Sequence, residues 1–138
     1  YTHVLVGPAS VSLLKMKFPK RRQEVTTEFG YPMYAEGLRR AIEFLAPLNV
    51  PIEITENGVA DAEDTLRTEH LRRHLWVLSN AVKDGHDVRS YHHWSLMDNF
   101  EWAEGYSMRF GLHRVDFENQ ERTLRPSGEV YKAIVGRR

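Results

Sequence analysis

The sequence predicts an α/β chain of parallel strands joined by helical crossovers, and three observations carry the prediction. Short strand-like segments alternate along the chain with longer segments of helical period. The piece Val50–Thr55 is short, β-branched and bounded by Asn57-Gly58, as expected of a strand buried on both faces. Finally, the 138 residues are 41% hydrophobic and 28% charged, ordinary for one globular domain and unlike a disordered or fibrous chain.

The elements follow in order. Tyr1–Val6 alternates and is rich in Val, Thr and Tyr, so a strand is expected there, ended by Gly7-Pro8. Ser10–Glu28 is basic and irregular, with Lys15, Lys17, Lys20, Arg21 and Arg22 around Pro19, which predicts a solvated loop. In Tyr34–Leu45 the apolar residues Leu38, Ile42 and Leu45 mark one helical face, and Pro47 stops the helix. Asp64–Asp84 is the clearest helix, with Leu71, Leu75, Leu78 and Val82 on one face and Gly85 as its C-terminal cap. Val88–Leu96 reads as a strand that runs into an aromatic and acidic loop over Asp98–Gly111. A short alternating piece at Leu112–Phe117, a turn at Glu118–Gln120 and a helix over Ser127–Val135, capped by Ser127, complete the chain. Three parallel strands with this helical cover leave open apolar edges and do not close a barrel.

Charge and composition narrow the function. Nineteen Lys and Arg balance nineteen Asp and Glu, so no long-range field attracts nucleic acid or an anionic membrane. The absence of cysteine removes disulfides and thiolate metal sites and suits a reducing, cytoplasmic setting. No stretch reaches the roughly 20 apolar residues that span a bilayer, and no signal peptide is expected at the start. His92 and His93 are adjacent on a strand and point to opposite faces, so they do not form a metal pair. His70 and His74 lie four apart on the helix without the Glu of a zinc-protease motif, and are expected to be surface or packing residues. No phosphate loop or serine-hydrolase elbow is present, and no cofactor is implied.

Two motifs carry chemistry. Ile54-Thr55-Glu56-Asn57-Gly58 sets a carboxylate at the C-terminal end of a buried strand, the rim where parallel barrels hold their active sites. On spacing alone it also fits a solvated Glu at an Asn-Gly turn. Tyr91 to Trp102 runs from a strand into a loop, with Trp94 and Trp102 offering ring faces and Asp98 and Glu101 offering acceptors for hydroxyls. Sugars need that combination, although an aromatic cluster also fits a core. The interleaved acids weigh against an all-core reading, because a buried carboxylate must be paired.

Together these motifs resemble glycoside hydrolase family 1. The resemblance rests on Ile-Thr-Glu-Asn-Gly at 54–58, Trp-Ser-Leu-Met-Asp-Asn-Phe-Glu-Trp at 94–102, Gly105-Tyr106 and Arg109-Phe110-Gly111-Leu112. Val115-Asp116, Arg122, Arg125-Pro126-Ser127 and Tyr131 extend it over nearly the whole chain. It implies the C-terminal part of a (β/α)₈ TIM barrel, from the end of the sixth strand to the eighth helix. Residues 1–138 would then be one segment of a single catalytic barrel, incomplete without an N-terminal portion. The implied activity is that of a retaining β-glycosidase of the β-glucosidase type, acting on terminal non-reducing β-D-glycosides. Glu56 would be the nucleophile and Tyr1 the residue that orients it, with Trp94, Glu101, Trp102 and Phe110 binding the sugar. The acid/base glutamate of the family's Asn-Glu-Pro motif does not occur in these residues and would come from the N-terminal portion, without which the chain is expected to be inactive. An inert carbohydrate-binding or structural fragment is the alternative, and another retaining barrel glycosidase is a second rival that the Trp94–Trp102 run argues against. Departures from the family's pattern at Arg89-Ser90-Tyr91, His92, Tyr31 and Ala35 bear on packing.

Overall fold

The computed structural model describes residues 25–136. The expected strand at Tyr1–Val6, the orienting Tyr1 and most of the basic loop lie outside the described residues. Helix α1 (Glu36–Leu45) and a 3-10 turn (Ala46–Leu48) lead to strand β1 (Ile52–Gly58), helix α2 (Arg67–Lys83) and strand β2 (Val88–Trp94). A second 3-10 turn (Trp102–Glu104), strands β3 (His113–Val115) and β4 (Arg122–Leu124) and helix α3 (Pro126–Val135) follow. β1 and β2 pair in parallel with α2 as the crossover, the arrangement expected from the alternation. β3 and β4 form a separate antiparallel ribbon. No described helix is long and apolar enough to cross a membrane.

α1 packs on the sheet through Leu38 and Ile42, which meet Ile52, Ile54, Leu78, Ala81 and Val88 in the core. Leu45, the third expected contact, is instead 39% exposed. Pro47 falls in the 3-10 turn that ends α1, and Asn49 at φ 52° turns the chain into β1. β1 starts two residues later than expected and runs through Asn57-Gly58, because both residues pair with β2.

α2 begins at Arg67 and not at Asp64. Asp64 has φ 58° and cannot be helical, while the Asp61 carboxylate accepts the backbone N–H groups of Thr65 at 3.1 Å, Leu66 at 2.8 Å and Arg67 at 2.9 Å. Those are the first-turn donors that a helix leaves unsatisfied. The buried stripe is Arg67, His70, Leu71, His74, Val77 and Ala81, rotated from the expected Leu71, Leu75, Leu78 and Val82. Val82 is exposed. Polar residues turn inward because the fold supplies partners: the Arg67 guanidinium pairs with Asp64 and donates to the carbonyl oxygens of Asp61 and, at 2.8 Å, Arg109. At the other end Gly85 caps as expected, at φ 95°, with its N–H on the Val82 oxygen at 3.0 Å.

β2 ends at Trp94, two residues early, because residues 95–98 turn to pair with 110–113. Ser95 N–H donates to Phe110, Leu112 N–H to Ser95 and Asp98 N–H to His113, at 3.2, 2.9 and 3.1 Å. The alternating piece expected at Leu112–Phe117 narrows to β3, and β4 was not expected at all. Ser127 is not the cap of α3. Arg125 holds that position, and Ser127 sits inside the first turn with its N–H and hydroxyl both on the Asp64 carboxylate, at 2.8 and 2.6 Å. Asp64 thus caps α3 from a distant segment.

Candidate active site

The site gathers at the C-terminal ends of β1 and β2. Asn57 lies opposite His93 and Gly58 opposite Trp94. A Cβ on Gly58 would fall 1.7 Å from the Trp94 carbonyl oxygen, so only glycine lets the strands approach here. The register shifts between Ile54 and Asn57, a bulge that contains Glu56. Glu56 is exposed on β1, while its neighbour Asn57 is buried and accepts the Tyr91 hydroxyl at 3.0 Å. Burial raises the Tyr91 phenol well above its ordinary value, with Tyr131 adding to the shift, so it stays a neutral donor.

A cavity of about 260 Å³ opens beside these strand ends. It brings together Trp94 from β2, Glu101 from the following loop and Phe110 from the segment before β3. One Glu101 oxygen, Oε2, is buried with no hydrogen-bond partner among the described residues. Its backbone is held by the 3-10 turn, through Glu101 N–H to Gly105 at 2.6 Å and Glu104 N–H to Glu101 at 2.9 Å. An aromatic wall beside a carboxylate with a spare acceptor is suited to a ligand with an apolar face and hydroxyl edges. Trp102 and Glu56 are not on the cavity wall, and Trp102 is 82% exposed.

One wall was missed in the sequence. Phe29 and Tyr31 stack at 5.2 Å, and Phe29 lies 6.2 Å from Phe110, so Thr27, Phe29 and the run from Tyr31 to Tyr34 add a wall to the cavity. The density of aromatics over Phe29–Tyr34 was the available signal. Asp98, offered as an acceptor for hydroxyls, is corrected: its carboxylate is fully buried and bonded to protein groups, Arg125 foremost. His70 and His74 are buried and stacked at 3.8 Å, which selects packing over the surface. Burial holds His70 down at about 2 and His93 down at about 4, so both are neutral at ordinary pH. No group of three or more His, Cys, Asp or Glu among the described residues could hold a metal ion.

Residues 8–138 match the profile of glycosyl hydrolase family 1. The chain belongs to that family. It is 42% identical over 110 residues to a β-galactosidase of Saccharolobus solfataricus, covering 79% of this chain and 22% of that protein. It is 40% identical over 121 residues to a β-glucosidase of Agrobacterium sp., covering 80% and 26%. Among solved structures it resembles a hyperthermophilic β-glucosidase from Pyrococcus furiosus, with a TM-score of 0.78 and 50% identity over 80% of this chain and 24% of that one. A β-glucosidase from Thermotoga maritima in complex with galacto-hydroximolactam gives a TM-score of 0.81 at 34% identity, over 87% and 30%. The chain therefore spans about a quarter of the length of these family 1 relatives. The parallel β1–α2–β2 unit fits part of their fold.

Proposed function

We propose that the protein is a retaining β-glycosidase of the β-glucosidase type, hydrolysing terminal non-reducing β-D-glycosides through a covalent glycosyl-enzyme. Residues 1–138 are the C-terminal segment of one catalytic barrel, and a preceding portion supplies the acid/base glutamate. The observation that carries the reading is the meeting of Trp94, Glu101 and Phe110 around one cavity at the strand ends, beside the strand that bears Glu56, in a chain of family 1.

The mechanism needs two carboxyl groups about 5 Å apart. Glu56 attacks the anomeric carbon while the other carboxyl protonates the leaving oxygen. The glycosyl ester is then cleaved by water, which the second carboxyl activates as a base. Trp94 lies under the sugar's apolar face, Glu101 meets its outer hydroxyls and Phe110 packs the pocket, while Trp102, which stands off this cavity, reaches the sugar's outer rim only in the assembled barrel.

The test is Glu56→Gly in the assembled enzyme. Hydrolysis of an aryl β-glucoside should be lost, and azide or formate should restore part of it by occupying the vacated space and attacking in the carboxylate's place. The rescued product should have inverted configuration. Rescue with retained configuration would contradict a nucleophilic role for Glu56, and full activity in the variant would remove it from the chemistry.

A further inference from the structure

The Asp98 side chain is fully shielded from solvent, and so is nearly all of Arg125. They form a two-pronged pair, Arg125 Nη1 to Asp98 Oδ1 at 3.0 Å and Nη2 to Oδ2 at 3.1 Å. Asp98 also accepts the backbone N–H of Gly111 at 2.9 Å and of Val115 at 3.2 Å, and Arg109 Nη1 lies 3.6 Å from its Oδ2. Arg125 donates further to the carbonyl oxygens of Gly111 at 2.8 Å and Ala62 at 3.4 Å. The pair therefore ties three segments together: the loop after β1, the loop that carries Glu101, and the segment that carries Phe110. Each of the three lines the cavity, through Val59 and Ala60, Glu101 and Phe110. Gly111 makes the seam tight, since a Cβ there would lie 2.2 Å from the Asp98 nitrogen.

We propose that Asp98 and Arg125 are positioning residues for Glu101: anchored beside the last helix, the pair sets where the sugar-reading carboxylate stands relative to Trp94 and Phe110, and so controls glycone selectivity without touching the sugar. The inference rests on the glycosidase reading above. Glu101 follows Asp98 by three residues and is bound to its own 3-10 turn, so movement of Asp98 carries the carboxylate with it. A displacement near 1 Å, remote from the reacting bonds, can cost a reaction up to about 100-fold. The bidentate geometry needs the guanidinium fork, which a lysine at the same charge cannot reproduce.

The test uses the assembled glycosidase and compares aryl β-glucoside with aryl β-fucoside, which lacks the O6 hydroxyl. Glu101→Gln should lower kcat/KM on the glucoside by orders of magnitude and on the fucoside less, because a site built to bond a hydroxyl loses most on the substrate that has it. Arg125→Lys should shift the glucoside-to-fucoside ratio in the same direction by about 10-fold, mainly through KM. Combined with Glu101→Gln it should add little further shift, since both changes act through one carboxylate. Should Arg125→Lys fail to fold, the neutral pair Asp98→Asn with Arg125→Gln, which removes both fully buried charges together and leaves only the partly exposed Arg109 without its 3.6 Å partner, takes its place under the same readouts. Equal losses on both sugars in Glu101→Gln would remove Glu101 from sugar reading and the positioning role with it. A shifted ratio in Glu101→Gln but an unchanged one in the folded Arg125 variant, or additive shifts in the combination, would overturn the positioning role alone.

Discussion

At the scale of single residues, the inward histidines of α2 and β2 make the fold sensitive to acid. His70 is held down to about 2 by burial first and by His74 next, and His93 to about 4 by burial first and the Arg67 guanidinium next. His74 is lowered as well, again chiefly by burial. Each folded value lies below the ordinary 6.5, so unfolding takes up protons as pH falls below it. The stability these rings contribute is present above the unfolded value and is lost as pH falls from there toward the folded one. For His93 that window is about pH 6.5 to 4. Each such histidine contributes a slope of about 1.4 kcal/mol per pH unit. Urea unfolding of the assembled protein should show lower stability at pH 5 than at pH 7, and His93→Phe should reduce the slope by close to one proton. An unchanged slope in that variant would place the titration elsewhere.

At the scale of elements, the junction of β1 with β2 depends on a missing side chain. Gly58 faces the Trp94 backbone with no space for a methyl group. Gly58→Ala must therefore push the strands apart where Trp94 enters the cavity, at a cost of at least about 2 kcal/mol, within the usual range for overpacking. A fall in Tm should accompany a loss of aryl glucoside hydrolysis larger than the stability change explains. A variant of native stability would mean that the strands separate here without strain. α2 shows why local rules erred at the helix ends. The start was expected where an Asp stood, and Asp64 is indeed an acceptor, yet it serves α3, with its carboxylate on Ser127 from 63 residues away. Asp61, six residues before Arg67, caps α2 instead.

At the scale of the molecule, the described strands make only a two-stranded parallel sheet and a small ribbon, and each of β1 and β2 keeps one unpaired edge among the described residues. Phe44 at 82% and Trp76 at 68% exposure stand on the outer sides of α1 and α2. Such edges and faces are expected to be covered by the rest of a barrel. The 138 residues produced alone should therefore unfold without a sharp cooperative transition, and co-expression with the preceding portion of the polypeptide should give a stable complex that hydrolyses aryl β-glucosides. A sharp calorimetric transition from a monomer of the isolated chain would defeat that expectation.

The sequence by itself determined the strand–helix–strand order, the spans of α1 and α2 to within a few residues, the glycine cap at Gly85 and the membership of family 1. Each of these is carried by neighbouring residues: a helical period, a turn dipeptide, or a motif such as Trp94 to Trp102. The tertiary structure alone decided which face of α2 turns inward, because Arg67, His70 and His74 are buried by partners and packing that a count of apolar positions does not see. It alone decided that Asp98 binds Arg125, 27 residues away, and so is closed to a sugar, and that Ser127 rests on Asp64. It also raised Phe29 and Tyr31 into a wall of the cavity. A carboxylate's role depends on which donors surround it, and those donors are fixed by contacts between segments far apart in the chain, where local pattern carries no information.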